Sequence, residues 1–260
     1  VVTVVYFEAR WLVLRWFHRK DPAPPRFWPF GPEKTLSRAL NSVALGGALC
    51  IAYGFFVEPT NIEVTRLEVP SAKILPATGR VRVVHLSDIH SEVAPLNDER
   101  AAELINSLAP DLVLMTGDYI NEEAAVPTVR RFMSALKPPS GLFVVKGNMD
   151  IAGNLPRDAF SGLAVEMLDQ ESRELDIRGS RLRVSGMEVG DEPYFKRWWR
   201  PAKAGAFEVF LFHYTDLVYE AEKAGVDLYL AGHTHGGQIR LPFYGALVTL
   251  AKFGKRFEAG

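Results

Sequence analysis

Two histidines stand one residue apart in the stretch LAGHTHGGQI, residues 230–239. His233 and His235 are two of the six histidines in the 260-residue chain, and glycines flank them closely. Imidazole nitrogens are common ligands of Zn²⁺, Mn²⁺ and iron, and glycine lets the backbone approach a bound group because it has no Cβ. This stretch therefore predicts a metal-binding loop.

Four further polar clusters each follow a short apolar run that is typical of a strand. In α/β sheets ligand-binding groups meet at the carboxyl ends of parallel strands, so we expect these clusters at one edge of the fold. Carboxylates, imidazoles and amide oxygens are the ligand set of divalent ions of intermediate hardness. The clusters are Ser87-Asp88-Ile89-His90, Gly117-Asp118, Gly147-Asn148-Met149-Asp150 and the single His213.

The pairs Asp88-x-His90 and His233-x-His235 share one spacing. In extended backbone, residues i and i+2 project to the same side. We therefore expect each pair to reach one site from an extended loop, with the neighbouring glycines allowing sharp turns.

Short apolar runs alternate with amphipathic helices after residue 79, which indicates sheets covered by helices. The stretch ESRELDIRGSRLRVSGME, residues 171–188, departs from this pattern and predicts a hairpin turned at RGS. The other predicted strands are Val81–Ser87, Leu112–Thr116, Leu142–Lys146, Phe207–Phe212 and Leu228–Ala231, and the predicted helices are Asn97–Leu108, Val126–Leu136 and Thr215–Lys223.

The ordered blocks D-x-H, G-D, G-N-x-D, a later H and G-H-T-H resemble those of the calcineurin-like metallophosphoesterases, over Val81 to about Gln238. The resemblance implies an α/β fold, a four-layer αββα sandwich, whose loops hold two divalent ions, Mn, Fe or Zn. It implies one ion bound by Asp88, His90 and His235, a second bound by Asn148, His213 and His233, and Asp118 bridging the two.

The same resemblance implies a hydrolase in which a hydroxide bridging two metal ions attacks phosphorus. Its catalytic residues would be Asp88, Asp118, Asn148 and His213. Many members of the family have histidine after the motif asparagine, whereas this chain has Met149. A thioether cannot donate a proton, and general-acid help is worth about 10²–10⁴-fold. We therefore expect a preference for good leaving groups, such as the phosphate end of a pyrophosphate.

The N-terminal part predicts a membrane attachment. Residues 39–57 contain no charged side chain. The length of this segment is close to the roughly 20 residues that cross a bilayer as a helix. A buried core helix is the alternative. Residues 1–38 are basic and aromatic, residues 58–79 are expected to hold a linker and a first strand, and residues 80–260 the metallophosphoesterase domain. The start at Val1 and the end at Gly260 suggest a piece of a longer protein, truncated at the C-terminus.

Two locations remain open for the catalytic domain. The Lys and Arg residues before the apolar run favour an inner loop, which places the domain outside the cytoplasm. The layout also resembles a membrane-attached subgroup that includes UDP-2,3-diacylglucosamine pyrophosphatases of lipid A biosynthesis, which implies the cytoplasmic face. The net charge of −1 does not indicate a nucleic-acid partner. The single Cys50 cannot form an internal disulfide.

The expected partners are the membrane and a phosphoester or pyrophosphate substrate. A lipid-linked substrate is included among the candidates. The stretch EPYFKRWWRPAKAG, residues 192–205, suits a lipid phosphate if Phe195, Trp198 and Trp199 are at the surface. The alternative is a loop packed by its tryptophans. A generic phosphodiesterase and a catalytically weak metal-binding scaffold are the competing functions. His85 is expected to lie in a strand and contact a ligand's neighbour, and His18 to be polar surface.

Overall fold

The computed structural model describes residues 32–153, 155–237, 240–241, 244–249 and 251–257. The chain forms two compact units, residues 1–63 and 64–260. Our expectations for residues 1–31, including His18, lie outside the described residues.

The first unit contains a long apolar helix, α1, Pro32–Phe56. It is followed by a 3-10 turn at Glu58–Thr60. The span Arg38–Thr60 is long and apolar enough to cross a membrane, and none of its most apolar window is buried. The alternative of a buried core helix is therefore not supported, and a membrane span stays the prediction for this segment.

The second unit contains two four-stranded sheets. One is entirely parallel, in the order β1-β2-β3-β4, and the other has the order β5-β6-β7-β8 with only the β5–β6 pair antiparallel. The strands are β1 Val83–Leu86, β2 Leu112–Met115, β3 Leu142–Val144, β4 Val165–Met167, β5 Glu171–Ile177, β6 Ser180–Gly186, β7 Phe207–Leu211, β8 Leu228–Leu230, and the short pair β9 Arg240–Leu241 and β10 Gly245–Ala246.

Helices cover the outer face of each sheet. The helices of the second unit are α2 Asp98–Ser107, α3 Val126–Ala135, α4 Asn148–Ala152, α5 Phe195–Trp198 and α6 Val218–Lys223, with 3-10 turns at Pro76–Thr78, Glu123–Ala125, Glu192–Tyr194, His235–Gly237 and Gly254–Phe257. The predicted helices and strands are present, and each end either coincides with the predicted residue or falls up to three residues inside it. The short elements β4, α4 and α5 were not predicted.

Alternation along the central strands divides the apolar core into layers. In β2, Val113 and Met115 pack with α2 and α3, whereas Leu112 and Leu114 pack against the second sheet. A third cluster joins the other face of that sheet to α5 and α6, with Phe210 at its centre. Because successive strand side chains point to opposite faces, each sheet has two buried faces, which confirms the four-layer αββα sandwich.

The predicted hairpin is present. Strands β5 and β6 pair from Glu171 opposite Gly186 to Ile177 opposite Ser180. The two residues between them, Arg178 and Gly179, have φ of 52° and 88°. Two successive residues with positive φ are the mark of a type I′ turn, whose twist matches that of the flanking strands.

The expected first strand within residues 58–79 is wrong. Residues 62–65 alternate apolar and polar side chains and the pattern breaks at Arg66, but residues 61–69 form no strand and β1 begins at Val83. An alternating run without a neighbouring strand has no ladder of backbone hydrogen bonds to hold it extended. The end of this segment is held by side-chain contacts instead, since the Ser180 hydroxyl accepts from Leu75 N–H and lies 2.7 Å from the Thr78 hydroxyl.

Candidate metal centre

All seven predicted ligands follow the carboxyl ends of parallel strands, five of them in loops and the other two, Asn148 and His235, at the first residue of a short helix or 3-10 turn. Asp88 and His90 follow β1, Asp118 follows β2, and Asn148 follows β3. In the second sheet, His213 follows β7, and His233 and His235 follow β8. The topology therefore brings residues that are up to 147 positions apart in sequence to one edge of the sandwich.

The first group consists of Asp88, His90 and His235. His235 Nε2 lies 3.3 Å from Asp88 Oδ1 and 3.2 Å from His90 Nε2, and the two imidazole rings are stacked. One oxygen and two nitrogens thus converge within 4.8 Å of one another. This donor set suits a divalent ion of intermediate hardness.

The second group consists of Asp118, His213 and His233, whose ligand atoms also lie within 4.8 Å of one another. The Asn148 amide oxygen lies 3.2 Å from His213 Nε2, so it adds a fourth oxygen or nitrogen donor. His213 is fully buried, and its ring meets that of His233 edge to face at 5.3 Å. Burial and the neighbouring His213 lower the pKa of His233, which favours the neutral, ligating form of its imidazole.

Asp118 lies between the two groups. Its Oδ2 is 3.2 Å from His213 Nε2 and 3.9 Å from His90 Nε2, one histidine from each group. Its Oδ1 accepts a hydrogen bond from the backbone N–H of Met149. One oxygen is thus fixed by the backbone while the other faces both groups, which is the arrangement that a bridging carboxylate requires.

The hydrogen bonds of His213 test whether this pocket fits a cation. Its Nδ1 lies 2.6 Å from the Thr116 carbonyl oxygen, which can only accept, so Nδ1 carries a proton. Its Nε2 then faces two further acceptors, Asp118 Oδ2 and Asn148 Oδ1, both at 3.2 Å. A lone pair cannot point at two oxygens favourably unless a proton or a metal cation lies between them. The donor set therefore fits a metal ion.

Within the site, neighbouring charges outweigh burial in setting the pKa values of His213 and Asp118. Burial lowers the pKa of His213, but the hydrogen bond and negative charge of Asp118 outweigh burial and leave the pKa above its ordinary value. Burial raises the pKa of Asp118, but the hydrogen bond and charge of His213 outweigh burial and leave this pKa below its ordinary value.

A neighbouring side chain orients the His90 ring in the same way as the Thr116 carbonyl orients that of His213. Its Nδ1 lies 2.7 Å from the Asn121 amide oxygen, which places the ring proton on Nδ1 and leaves the Nε2 lone pair facing the first group. His85, as expected, lies in β1, and its Nε2 is 2.8 Å from the Thr116 hydroxyl. Thr116 in turn accepts from His213 through its carbonyl, so His85 reaches the centre through one neighbour.

The expected extended conformation of the two ligand pairs is wrong. Asp88, His90, His233 and His235 all have positive φ, between 42° and 72°, as does Asp118 at 55°. His233 and His235 also reach different groups rather than one. The loops turn too sharply for extended backbone because each must direct side chains into a small volume. Five of the eight non-glycine residues with positive φ in the described structure are therefore candidate ligands.

Three glycines are required for the close packing of these loops. A Cβ at Gly232 would lie 2.2 Å from Asp88 Oδ2, and one at Gly147 would lie 2.2 Å from Asp118 Oδ1. A Cβ at Gly117 would lie 2.4 Å from the Gly147 nitrogen. These contacts are far below van der Waals separation, so any side chain there would displace a candidate ligand.

The sequence matches the calcineurin-like phosphoesterase family over residues 81–237, the stretch that holds every candidate ligand. This chain belongs to the calcineurin-like phosphoesterase family. It is a metal-dependent phosphoesterase, and so a hydrolase.

Curated relatives of this phosphoesterase share low identity over most of their length. It is 29% identical to the uncharacterized metallophosphoesterase YkuE of Bacillus subtilis, covering 87% of this chain and 83% of the relative. It is 24% identical to YkoQ of the same organism, covering 74% of each. It is also 23% identical to the UDP-2,3-diacylglucosamine pyrophosphatase LpxG of Chlamydia trachomatis, covering 80% of this chain and 79% of the relative.

Asp150 holds the second and third loops of the phosphoesterase together, a role that the sequence analysis missed. It is fully buried, and its carboxylate accepts backbone N–H groups from Asp118, Tyr119, Ile120 and Gly147. Burial raises its pKa to about 6, although the hydrogen bonds from the Gly147, Tyr119 and Asp118 N–H groups oppose the shift. The motif G-N-x-D contained the signal, but a residue type alone does not distinguish a ligand from a loop-holding acceptor.

The aromatic stretch of residues 192–205 is largely core. Phe195 and Trp199 are buried around Phe210, and Trp199 donates its indole N–H to the Ala224 carbonyl. The expectation that Phe195 and Trp199 form a lipid-facing surface is therefore wrong, because both complete the layer outside the second sheet. Trp198 is only partly buried and lines a cavity of about 490 Å³ with Gln170, Tyr194, Arg197 and Arg200.

Proposed function

We propose that this phosphoesterase hydrolyses a lipid-linked or nucleotide pyrophosphate, with UDP-2,3-diacylglucosamine as the first substrate to test. The observation that carries the proposal is the combination at Asn148-Met149. The candidate ligand set is complete, yet the residue after the asparagine has no proton to give. Cleavage that releases a phosphate depends least on a general acid, since phosphate is a good leaving group.

We propose two divalent ions, Mn, Fe or Zn, as the cofactors. Asp88, His90 and His235 would hold one and Asn148, His213 and His233 the other, with Asp118 shared. When bound, such a pair lowers the pKa of water and offsets negative charge on phosphoryl oxygens. In this proposal Asp88, Asp118, Asn148 and His213 are the catalytic residues.

The protein's own groups prepare this chemistry. The Thr116 carbonyl and the Asn121 amide oxygen hold the protons of His213 and His90 on Nδ1, so both Nε2 atoms face the centre as lone pairs. The backbone N–H of His233 donates to both oxygens of Asp88, at 3.1 and 2.9 Å, and fixes that carboxylate. These contacts set the ligand directions before any ion binds.

The lipid-linked substrate is supported by two independent features. One relative carries the name UDP-2,3-diacylglucosamine pyrophosphatase, and helix α1 is long and apolar enough to cross a membrane. We propose that α1 anchors the chain, and that the basic residues before it place the second unit outside the cytoplasm. Protease digestion of the domain in sealed vesicles of known orientation tests this placement, and digestion only from the cytoplasmic side would reverse it.

The test of activity uses the full chain purified in detergent with Mn²⁺ or with EDTA. We expect Mn²⁺-dependent release of UMP from UDP-2,3-diacylglucosamine at a higher kcat/KM than release of p-nitrophenol from bis(p-nitrophenyl) phosphate. Asp118→Ala should abolish both, because it removes the shared ligand. The matched control is Glu174→Ala, which removes an exposed carboxylate from β5 and its ion pair with Lys203.

The other outcomes identify the competing functions. Cleavage of the diester without the pyrophosphate would overturn the substrate and leave a generic phosphodiesterase. Bound metal with no turnover of either compound would overturn the proposed hydrolysis of these substrates and favour a scaffold.

A further inference from the structure

We infer that the described residues of the stretch 240–257, which are 240–241, 244–249 and 251–257, form a docking surface for an anionic lipid bilayer. This segment, which we call the C-terminal rim, begins five residues after the candidate ligand His235. The inference rests on the proposed function only for the position of the metal centre. It adds a surface that no candidate ligand belongs to.

The C-terminal rim exposes large apolar side chains. Tyr244, Leu247 and Val248 are 62%, 49% and 69% exposed. They are three of the seven large apolar side chains that are exposed beyond residue 80 in the described structure. Exposed apolar side chains that cluster in a short segment mark an interaction surface more often than scattered ones do.

All charged residues of the C-terminal rim are basic. Arg240, Lys252, Lys255 and Arg256 are exposed, and no acidic residue occurs between Asp227 and Glu258. The whole chain carries a net charge of −1, so this concentration of positive charge is local. Its charge complements anionic headgroups, and each basic residue near such a surface adds to the attraction.

The cations and aromatic rings are arranged together. Lys255 Nζ lies 3.4 Å from the centre of the Tyr244 ring, and the Arg256 guanidinium lies 5.4 Å from that of Tyr219. Tyr219 also packs edge to face against Phe253 and Phe257. Amphipathic rings with neighbouring cations suit the headgroup level of a bilayer, where one end of the group is apolar and the other wet.

The C-terminal rim lies beside the metal centre. Strands β9 and β10 pair, and they return the chain to Gly237, two residues after His235. A Cβ on Gly237 would lie 2.0 Å from Ala246 Cβ and 3.3 Å from the Val248 carbonyl oxygen. Docking of Leu247 and Val248 would therefore hold the ligand loop close to the headgroups, where a lipid-linked phosphate is found.

The test places a fluorophore on the C-terminal rim of the full chain. Val248→Cys in a Cys50→Ser background is labelled with bimane, and the protein is reconstituted into bilayers that contain brominated phosphatidylglycerol. We expect the brominated chains to quench this label. The control is Arg181→Cys, which is exposed on β6 near the hairpin turn, at the end of that strand away from the metal centre. That label should not be quenched.

Charge removal tests the choice of an anionic bilayer. Lys252→Gln and Lys255→Gln should each lower the docked fraction relative to the undocked fraction by about fivefold, the equivalent of one basic residue near an anionic surface. Bilayers of brominated phosphatidylcholine alone should give weaker quenching of the wild-type rim. Hydrolysis of soluble bis(p-nitrophenyl) phosphate should be unchanged by both variants.

Three results would overturn the inference. The first is equal quenching at positions 248 and 181. The second is quenching that is insensitive to lipid charge. The third is a position 248 label that is already shielded in detergent and unaffected by bilayers, which would indicate a second copy or another part of the chain as the occupant. Loss of Mn²⁺-dependent hydrolysis with docking intact would instead contradict the proposed function alone.

Discussion

Gly147→Ala should strongly lower the activity of the phosphoesterase although it replaces no candidate ligand. Gly147 has φ of −95° and ψ of −177°, which alanine adopts without strain, so the effect comes from the added methyl group alone. That Cβ would lie 2.2 Å from Asp118 Oδ1 and 2.7 Å from the Asp118 nitrogen. Real Cβ contacts essentially never fall below 3.0 Å, so the carboxylate has to move by at least about 0.8 Å.

The expected loss follows from that displacement. A misplacement of about 1 Å at a reacting centre costs about 10²-fold in rate, which corresponds to about 2.7 kcal/mol. Overpacking should also lower the free energy of unfolding by about 1–3 kcal/mol. The assay is kcat/KM for Mn²⁺-dependent hydrolysis of bis(p-nitrophenyl) phosphate, together with the metal content of the purified protein.

Gly225→Ala provides the matched control. Gly225 has φ of 83° and no atom within 4 Å of an added Cβ. Alanine there should cost about 1–2 kcal/mol of stability through backbone strain alone and leave kcat/KM unchanged. If Gly147→Ala retained wild-type kcat/KM and metal content, the tight placement of Asp118 would be irrelevant to catalysis and the reasoning would be refuted.

Three further predictions concern leaving-group preference, pH and the buried core. Met149→His should raise kcat/KM for alkyl phosphodiesters more than for pyrophosphates, by up to about 10²–10⁴-fold, and an unchanged ratio would contradict the role given to the missing acid. Burial and the charges of Glu188 and Asp191 raise the pKa of Asp169 to about 6, so the folded state holds this proton more tightly and loses stability as pH rises from about 4 to 6. Asp169→Asn should therefore stabilise the fold above pH 6 and leave it unchanged below pH 4, as measured by urea unfolding across that range. Glu208→Ala should cost about 3–5 kcal/mol of unfolding free energy because it leaves Arg183 buried without the carboxylate that binds its Nε and Nη2, and restored stability on adding Arg183→Met would support that cause.

The sheets and the site edge could be predicted from sequence because their signals are strong and local. Apolar runs such as Leu112–Met115 are buried on both faces, and a run of that kind ending in a polar cluster marks the carboxyl end of a parallel strand. The hairpin at Arg178-Gly179 was predictable for a similar reason, since a tight turn between alternating strands has a distinct composition.

The conformation of the ligand loops could not be predicted in this way. The i, i+2 spacing of Asp88 and His90 suits extended backbone, but the loop is set by distant contacts: the Asp88 and His90 N–H groups donate to the Gly117 and Asp118 carbonyls of the next loop. For Trp199 the sequence left burial as one of two alternatives, because an indole beside arginines suits a membrane surface as well as a core. Which of these it joins depends on Phe210, a residue on another strand.

The left-handed backbone at five candidate ligands restricts which amino acids these positions can hold. Such φ values are tolerated chiefly by glycine, asparagine, aspartate and histidine. Ligation of an intermediate divalent ion by oxygen or nitrogen demands a carboxylate, an amide or an imidazole. Aspartate, asparagine and histidine satisfy both conditions. Glutamate and glutamine have suitable ligand atoms, but they do not favour the positive φ that these turns require. Backbone geometry and metal chemistry together therefore restrict five positions to aspartate, asparagine or histidine. These positions are Asp88, His90, Asp118, His233 and His235.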